Sequence, residues 1–375
     1  MKILSLFGTR PEAIKMAPIV KALEKDSFFT SKICITAQHR QMLDQVLNLF
    51  DLKPDYDLDI MRDKQDLFDI TSKVLLGVRD VLSSENPDLI LVHGDTTTCF
   101  AGTLAGFYSQ IPVGHVEAGL RTGNLMAPFP EEANRVMTTR LAQLHLAPTE
   151  EARQNLLREN IAPATISVTG NSVIDALLWV REKVSRQQEW GEVFGSAKRI
   201  IQERMPYVLI TGHRRENLGT GFLNICTAIS TLAIRHPEVH FIYPVHLNPM
   251  VQEPVHSLLG EYDNIHLIKP LDYAPFVYAM DRCKFILTDS GGVQEEAPSL
   301  GKVVLVMRDT TERPEAIAAG TVTLVGTNSE KIISETERLL AAPDKAPGDI
   351  AKQNPYGDGN AAGRIKESIG HFLTR

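Results

Sequence analysis

The chain alternates short apolar segments, rich in β-branched residues, with longer segments of helical periodicity. Several short segments are apolar throughout, as expected for strands that helices cover on both faces. The predicted strands of the first half are Lys2–Phe7, Lys32–Thr36, Asp88–His93, Pro112–Val116, Leu144–Ala147 and Ile166–Thr169. Those of the second half are Tyr207–Thr211, His240–Val245, Ile265–Ile268, Phe285–Thr288, Val303–Met307 and Val322–Val325.

This regular alternation predicts parallel sheets built from right-handed crossovers. Twelve strands would make an unusually large sheet, so we expect two sheets of about six strands and two domains. We place the boundary near Gly170, with the helix that begins at Asn171 in the second half. A tail rich in Pro, Gly and Asp (341–358) precedes a final helix predicted from about Asn360 to Phe372.

Composition and charge limit the classes of function that the chain can have. Of 375 residues, 43% are hydrophobic and 23% charged, as in an ordinary globular protein. The net charge of −7 argues against a general nucleic-acid binder. The 4 cysteines are scattered without metal-ligand spacing, which predicts reduced core thiols. The first apolar segment is shorter than a signal peptide would need, and no segment approaches the roughly 18 apolar residues of a membrane span. We therefore expect a cytoplasmic protein that stays out of the membrane.

Polar residues follow most of the predicted strands, in both halves of the chain. Ligands of open α/β sheets bind at the carboxyl ends of the strands, so a cleft between two such domains is the expected site. The dinucleotide fingerprint GxGxxG, the P-loop, HExxH and GxSxG are all absent. These absences give no support to a nicotinamide enzyme, a kinase, a zinc protease or a serine hydrolase, and we expect no cofactor and no metal.

Two segments are candidates for binding an anion. Arg10 and Lys15 lie in or near the first turn of a helix, where the dipole disfavours cations unless a bound diphosphate or a nearby carboxylate cluster offsets them. Solvated charges are the alternative. In the segment 289–296, Ser290, Gly291 and Gly292 open a helix whose N–H groups suit a phosphate, and Glu296 could accept ribose hydroxyls. An ordinary capped turn is the alternative.

Three carboxylates, Asp95, Glu117 and Glu131, are candidates for acid/base chemistry. Groups of this kind that converge on one cleft push their pKa values apart. Alternatively, Asp95 caps the helix that starts at Thr96, and Glu131 belongs to a negatively charged first turn.

The basic and imidazole side chains are less specific. His213 follows a strand and could act as acid, base or charge stabiliser. Three further histidines are expected only to shape loops, and they are His93, His115 and His246. In the loop 308–315, Arg308 and Arg313 either bind a phosphate or pair with their acidic neighbours.

Taken in order, six motifs carry a resemblance. They are GTRPEAIKMAP (8–18), AQHRQMLDQ (37–45), VHGDTTT (92–98), GHVEAGLRT (114–122), TDSGGVQEEAP (288–298) and RDTTERPE (308–315). Together the motifs closely resemble those of the bacterial non-hydrolysing UDP-N-acetylglucosamine 2-epimerases. The similarity extends through NPYGDG (354–359) into the last helix.

The resemblance implies a glycosyltransferase-B-like fold, in which two Rossmann-like domains with parallel sheets surround a central cleft. Residues 1–170 would form the first domain, completed by a C-terminal helix (359–375) that packs back on it. Residues 171–358 would form the second, UDP-binding domain. The UDP site would comprise Ser290, Gly291, Gly292, Glu296 and Arg313, with Arg10 reaching across and the uracil against Leu271 and Phe276. The sugar site and catalytic positions would be Lys15, Asp95, Glu117, Glu131 and His213.

The implied reaction interconverts UDP-GlcNAc and UDP-ManNAc without a cofactor. UDP is eliminated across C1–C2 to give 2-acetamidoglucal and then adds back, with the C2 proton on the other face. The product would supply ManNAc units for a bacterial surface polysaccharide. A homodimer is implied, and a second UDP-GlcNAc could bind as an activator at Gln38, His39 and Gln41. A hydrolysing epimerase, a glycosyltransferase and a nucleotide-sugar sensor are the alternatives.

Overall fold

A computed structural model describes residues 1–37, 40–62, 64–187, 190–311, 313–343, 347–351 and 354–374. The chain divides into two compact units. The first unit comprises Met1–Ala176 and Tyr356–Arg375, and the second comprises Leu177–Pro355. The division falls inside a helix, whereas the sequence places the boundary before that helix.

The first unit contains a seven-stranded parallel sheet with the strand order β3-β2-β1-β4-β5-β6-β7. Its strands are β1 Lys2–Phe7, β2 Thr30–Ile35, β3 Tyr56–Asp57, β4 Leu89–His93, β5 Val113–Val116, β6 Leu144–Ala147 and β7 Ile166–Val168. The central strand β4 is buried along its whole length, which explains why it contains no alternation of polar residues.

The second unit contains a six-stranded parallel sheet with the order β10-β9-β8-β11-β12-β13. Its strands are β8 Tyr207–Thr211, β9 His240–Pro244, β10 Ile265–Ile268, β11 Phe285–Thr288, β12 Val304–Val306 and β13 Val322–Leu324. In each sheet the strand order reverses direction beside the first strand, between β1 and β4 and between β8 and β11. Such switch points are where open α/β sheets bind their ligands.

Helices connect the strands and cover the sheets. The α-helices are α1 Arg10–Glu24, α2 Arg40–Leu49, α3 Leu67–Glu85, α4 Thr97–Tyr108, α5 Glu131–Leu141, α6 Glu150–Arg158, α7 Ser172–Ser185, α8 Lys198–Gln202, α9 Thr220–Arg235, α10 Pro249–Leu259, α11 Tyr273–Arg282, α12 Gly291–Glu296, α13 Pro314–Ala318, α14 Ser329–Ala341, α15 Pro347–Ala351 and α16 Ala361–Leu373. Short 3-10 helices span Pro163–Thr165, Gly195–Ala197, Arg215–Asn217 and Ala297–Leu300.

The last helix, α16, belongs to the first unit. Its first backbone N–H groups, at Ala361 and Ala362, donate to the Asp175 carboxylate at 3.1 and 2.9 Å. These two hydrogen bonds give partners to N–H groups that the helix itself leaves unpaired. Ile365 and Ile369 are completely buried, and α16 packs against α1. The prediction of two Rossmann-like α/β domains, with the C-terminal helix returning to the first, is confirmed.

The structure corrects the strand count of the first half. An additional strand, β3, pairs with β2, with Cys34 opposite Tyr56 and Ile35 opposite Asp57. The sequence does not predict this strand, because it contains no apolar segment there. All four cysteines are buried and free. Among the described residues, no cluster of histidine, cysteine and acidic side chains could hold a metal ion, and no helix there could span a bilayer.

Candidate active site

The carboxyl edge of the first sheet carries a largely buried ion pair between Lys15 of α1 and Glu117, which follows β5. The Lys15 Nζ contacts Glu117 Oε2, and the amide of Asn171 donates to the same oxygen at 3.1 Å. Nε2 of His93, the last residue of β4, lies 3.7 Å from that oxygen. Lys15 lies in the second turn of α1, near the first turn as predicted, and pairs with a carboxylate. His93, expected only to shape its loop, instead lies beside Glu117.

These contacts keep Glu117 ionised. Burial alone would raise its pKa, but the charge of Lys15 and the neighbouring His93 outweigh burial and hold the pKa well below the usual range. The backbone of Glu117 has a φ of +63°, a left-handed conformation that costs a residue with a side chain about 1–3 kcal/mol. The surroundings thus fix an ionised carboxylate beside a lysine, with a negative charge that persists at neutral pH.

Asp95, which lies in the loop after β4, is held by α5. Its Oδ2 accepts from Arg135 Nη2 at 2.6 Å, and its backbone carbonyl accepts from the Asn134 amide at 2.9 Å. Burial raises the pKa of Asp95, Arg135 opposes the rise, and the negative charge of Glu117 adds to it. The alternative that Asp95 caps α4 is wrong, since the Thr96 hydroxyl accepts the N–H of Cys99 at 3.1 Å and fills that role.

Glu131 is the first residue of α5, one turn before Arg135 on the same helix face. Its Oε2 is buried and has no hydrogen-bond partner in the part of the chain that the structure describes. Next to it, the buried Glu132 accepts the N–H groups of Thr122 and Gly123 at 3.0 and 2.9 Å, which fixes the loop before α5. The helix therefore carries one carboxylate with a structural task and one, Glu131, with an open acceptor.

Another buried carboxylate, Glu12, joins the loops after β1 and β4. It accepts the N–H groups of Gly8 and Thr9 at 3.0 and 2.7 Å and the Thr96 hydroxyl at 2.6 Å. Thr9 and Glu12 form a capping box, a spacing visible in the sequence but overlooked among the candidate residues. Arg10, by contrast, makes no ion pair with the described residues and stands at the first position of α1.

In the second unit, His213 and Asp289 meet across the switch point of the sheet. The fully buried Asp289 accepts the backbone N–H groups of His213 and Arg214 through Oδ2, both at 2.8 Å. Nδ1 of His213 lies 3.6 Å from Asp289 Oδ1. Asp289 was not among the candidate residues, although its position directly after β11 was a signal that could have identified it.

Of the other histidines expected to shape loops, two make defined contacts. The ring of His246 stacks on that of His213, with centroids 5.0 Å apart and planes inclined by 11°. His115 is completely buried and its Nε2 lies 2.7 Å from the carbonyl oxygen of Gly94. Burial lowers the pKa of His115 to about 3, so this imidazole is neutral at physiological pH and donates to that carbonyl.

The loop after β11 leads into α12 and lies against an arginine. A Cβ on Gly291 would lie 2.5 Å from Nη1 of Arg313, so only glycine leaves the guanidinium its place. Arg313 pairs with Glu295 of α12 at 2.6 Å, and Arg308 pairs with Glu216 at the same distance. Both of these partners lie outside the loop 308–315. The Ser290 side chain does not cap α12.

Glu296 links α12 to the segment expected to receive the uracil. The hydroxyl of Tyr273, the first residue of α11, donates to Glu296 Oε1 at 2.5 Å. Leu271 and Phe276 lie on either side of this tyrosine in the sequence, and both are partly exposed. The structure thus brings Glu296 to the segment 271–276. Of the three residues expected to bind an activator, Gln38 and His39 lie outside the described residues, as does the side chain of Gln41.

Comparison with known proteins shows that the chain matches a known family in sequence. The sequence profile of the UDP-N-acetylglucosamine 2-epimerase family matches residues 21–370. The chain is 56% identical over 369 residues to the UDP-N-acetylglucosamine 2-epimerase of Escherichia coli (strain K12), covering 98% of both chains.

Solved structures agree with this. The UDP-GlcNAc 2-epimerase from Neisseria meningitidis, crystallised with UDP-GlcNAc, is similar at a TM-score of 0.88 and 53% identity over 99% of this chain and 100% of that one. The glycotransferase of kitacinnamycin, at 11% identity and a TM-score of 0.64 over 98% of both chains, shares the fold alone, which supports the glycosyltransferase-B-like class. The chain belongs to the UDP-N-acetylglucosamine 2-epimerase family, as its motifs predict.

Proposed function

We propose that this protein interconverts UDP-GlcNAc and UDP-ManNAc as a non-hydrolysing isomerase. The observation that carries the proposal is the set of carboxylates at the carboxyl edge of the first sheet, in a chain of this family. Neighbouring charges lower the pKa of Glu117 and burial raises that of Asp95, so Glu117 is the more firmly ionised of the two and Asp95 the stronger base. Two such groups are what inversion of a carbon that bears hydrogen requires.

The proposed route is elimination and re-addition. C2 of the sugar has no adjacent carbonyl, so its proton cannot leave by enolisation. Instead, a carboxylate removes the C2 proton while the C1–O bond breaks and its electron pair leaves with UDP, which gives 2-acetamidoglucal. A diphosphate oxygen then adds back to C1 as a proton returns to C2 from the opposite face. No water is consumed and no electrons are gained or lost.

The roles follow from residue type and placement. Asp95, Glu117 and Glu131 exchange the protons, and Glu131 has one carboxylate oxygen to which no described residue donates a hydrogen bond. Lys15, Arg10 and His213 stabilise the negative charge on the departing diphosphate. Residues 1–170 and 359–375 would supply the proton chemistry, and 171–358 the groups that bind UDP.

In the UDP-binding part, Ser290, Gly291, Gly292 and Arg313 would hold the diphosphate, because the glycines let it approach the backbone and the guanidinium matches phosphate geometry. Glu296 would accept the ribose hydroxyls, and Leu271 and Phe276 would border the uracil. The short distance from Glu296 to Tyr273 supports this, since one ligand could then contact both segments.

Three further parts of the proposal rest on the family resemblance. The product would supply ManNAc units for a bacterial surface polysaccharide, the protein would be a homodimer, and a second UDP-GlcNAc would activate it through Gln38, His39 and Gln41. Sedimentation tests the dimer. Initial rates starting from UDP-ManNAc, with and without added UDP-GlcNAc, test the activator: rates independent of UDP-GlcNAc would contradict it.

The activity itself is tested by NMR of the purified protein with UDP-GlcNAc in D2O, without added cofactor or metal. We expect UDP-ManNAc to form and deuterium to appear at C2 of both sugars. Free ManNAc together with UDP would instead assign the protein to the hydrolysing branch. An unchanged spectrum, with binding shown separately, would leave a glycosyltransferase or a sensor.

A further inference from the structure

Asp289 is a buried carboxylate for which the proposed reaction has assigned no task. It directly follows β11, and His213 comes shortly after β8, the neighbouring strand across the switch point, where Thr211 stands opposite Thr288. Its Oδ2 accepts three hydrogen bonds: the backbone N–H groups of His213 and Arg214, both at 2.8 Å, and the Asn217 amide at 3.3 Å. Oδ2 of Asp289 thus holds the backbone segment that carries the His213 side chain.

The other oxygen, Oδ1, is left for the ring. It is buried, and no hydrogen bond reaches it from any residue that the structure describes, although a buried oxygen of this kind costs about 1–3 kcal/mol if it stays unpaired. The Nδ1 of His213 lies 3.6 Å away, so a small rotation of the ring would close a hydrogen bond. The His213 side chain is 41% exposed, so protein atoms do not enclose the ring on every side.

We propose that Asp289 is a positioning residue that acts through His213. It holds Nδ1 of the imidazole as a hydrogen-bond donor, which leaves Nε2 on the far side of the ring to contact the diphosphate of the substrate. The inference rests on the proposed epimerase function. When the C1–O bond breaks, the negative charge that develops on UDP is stabilised by an imidazolium whose charge Asp289 offsets from behind, and no proton needs to be transferred.

Among the described side chains, the other charged and titratable groups that act on this ring oppose its protonation. Burial lowers the pKa of His213, and the stacked ring of His246 and the guanidinium of Arg214 lower it further. Asp289 acts in the opposite direction and so favours the imidazolium. Without the carboxylate, the imidazole would be protonated to a smaller extent and would be a weaker partner for a diphosphate.

The test compares wild type with Asp289→Asn, which keeps an oxygen for the two backbone N–H groups but removes the charge. NMR titration of histidine-labelled protein, with His213→Asn to assign the signal, should show the His213 pKa about one unit lower in Asp289→Asn. The kcat should fall about 10- to 100-fold. The basic limb of the kcat profile, where the imidazolium is lost, should move to lower pH, with KM within about threefold. In a His213→Asn background the second change should cost nothing further, because the effect passes through the ring.

An unchanged His213 pKa, or a double variant that loses the full additional factor, would overturn the inference. A measurement on wild type covers the case in which Asp289→Asn does not fold. The 15N shifts of neutral His213 should show the proton on Nδ1, and a proton on Nε2 would contradict the orientation. Failure of wild type to epimerise would refute the proposed function, whereas an active wild type with an unaffected His213 would refute only the role of Asp289.

Discussion

At the level of single residues, the two carboxylates Asp95 and Glu117 differ because of what their neighbours supply. Glu117 is buried against Lys15, whose charge outweighs the cost of burial, whereas the ion pair of Asp95 with Arg135 does not prevent burial from raising its pKa. A reaction that removes a proton from one face of a carbon and returns it on the other benefits from such a difference.

Glu117→Gln should abolish most of the activity, because an amide cannot accept the C2 proton or offset the charge of Lys15. We expect a loss of at least about 100-fold in kcat and an equal loss of C2 deuterium incorporation, measured in D2O. The control is Glu24→Gln, which removes an exposed partner of Lys21 at 3.0 Å on the same helix as Lys15. A Glu117→Gln enzyme within about threefold of the control would contradict the role of Glu117.

The low pKa of His115 leads to a separate prediction about the free energy of unfolding. Its pKa is about 3 in the folded protein, against 6.5 when unperturbed, so the unfolded chain binds more protons between these values. Its stabilising effect is therefore complete above pH 6.5 and is lost as the pH falls towards 3, by about 1.4 kcal/mol per pH unit at most. His115→Gln keeps a donor for the Gly94 carbonyl and should flatten this dependence in urea unfolding at several pH values. Parallel curves for both proteins would contradict it.

Sequence reasoning selects such residues by position but does not find their partners. Asp95 and Glu117 are recognisable because each follows a strand in a polar segment. Arg135, His93 and Asp289 gain their significance from contacts with residues far away in the chain, and only the order of strands in the folded sheet brings these together. Spacing along the chain carries no such information.

At the level of elements, the turn from β11 into α12 depends on one close approach. Gly291 lies against the Arg313 guanidinium, which Glu295 holds in place from α12. Because the guanidinium is the flexible end of a long side chain, a larger residue at 291 would displace Arg313 without unfolding the unit. The turn is thus a place where packing and ligand binding can be separated experimentally.

Gly291→Ala should weaken binding of UDP by about tenfold, because the displaced guanidinium no longer meets a phosphate. Calorimetric titration with UDP measures this, and the free energy of unfolding should change by less than about 1 kcal/mol. The matched control is Gly370→Ala in α16, where the nearest atom, in Phe29, would lie 3.8 Å from the new Cβ. Unchanged UDP affinity in Gly291→Ala would remove Arg313 from the proposed site.

The elements that sequence reasoning finds are those with long apolar runs. All twelve predicted strands exist, and their ends either match the prediction or shift by one or two residues. Strand β3 escapes because it is two residues long and carries Tyr56 and Asp57 at the edge of the sheet. Its neighbour Asp55 is bound to the backbone N–H of Ile33 at 2.9 Å and to Lys32 at 2.7 Å, contacts that a periodicity argument does not detect.

At the level of the whole molecule, the same plan occurs twice. Each unit has a parallel sheet whose order reverses beside its first strand, and each has its candidate residues at the carboxyl ends of the strands. The chain nevertheless builds the first unit from two separate stretches, since the terminal helix α16 returns to α1.

The substitution Ile365→Ala tests whether the packing of α16 stabilises the first unit. Ile365 is completely buried in α16, so truncation should leave a cavity and lower the free energy of unfolding by about 2–5 kcal/mol. Ile234→Ala is the control, because this isoleucine of α9 is 67% exposed and its truncation should change stability by about 0.5 kcal/mol or less. Urea unfolding followed by circular dichroism compares them, and equal stability of the two variants would contradict the packing.

The central claim is that the C1–O bond breaks and re-forms during epimerisation. UDP-GlcNAc labelled with 18O in the bridge between C1 and the β-phosphorus tests this directly, with 31P NMR to follow the label. Elimination frees the diphosphate to rotate, so the label should move into non-bridging positions at a rate comparable to the formation of UDP-ManNAc. Complete retention of 18O in the bridge while UDP-ManNAc accumulates would contradict the mechanism.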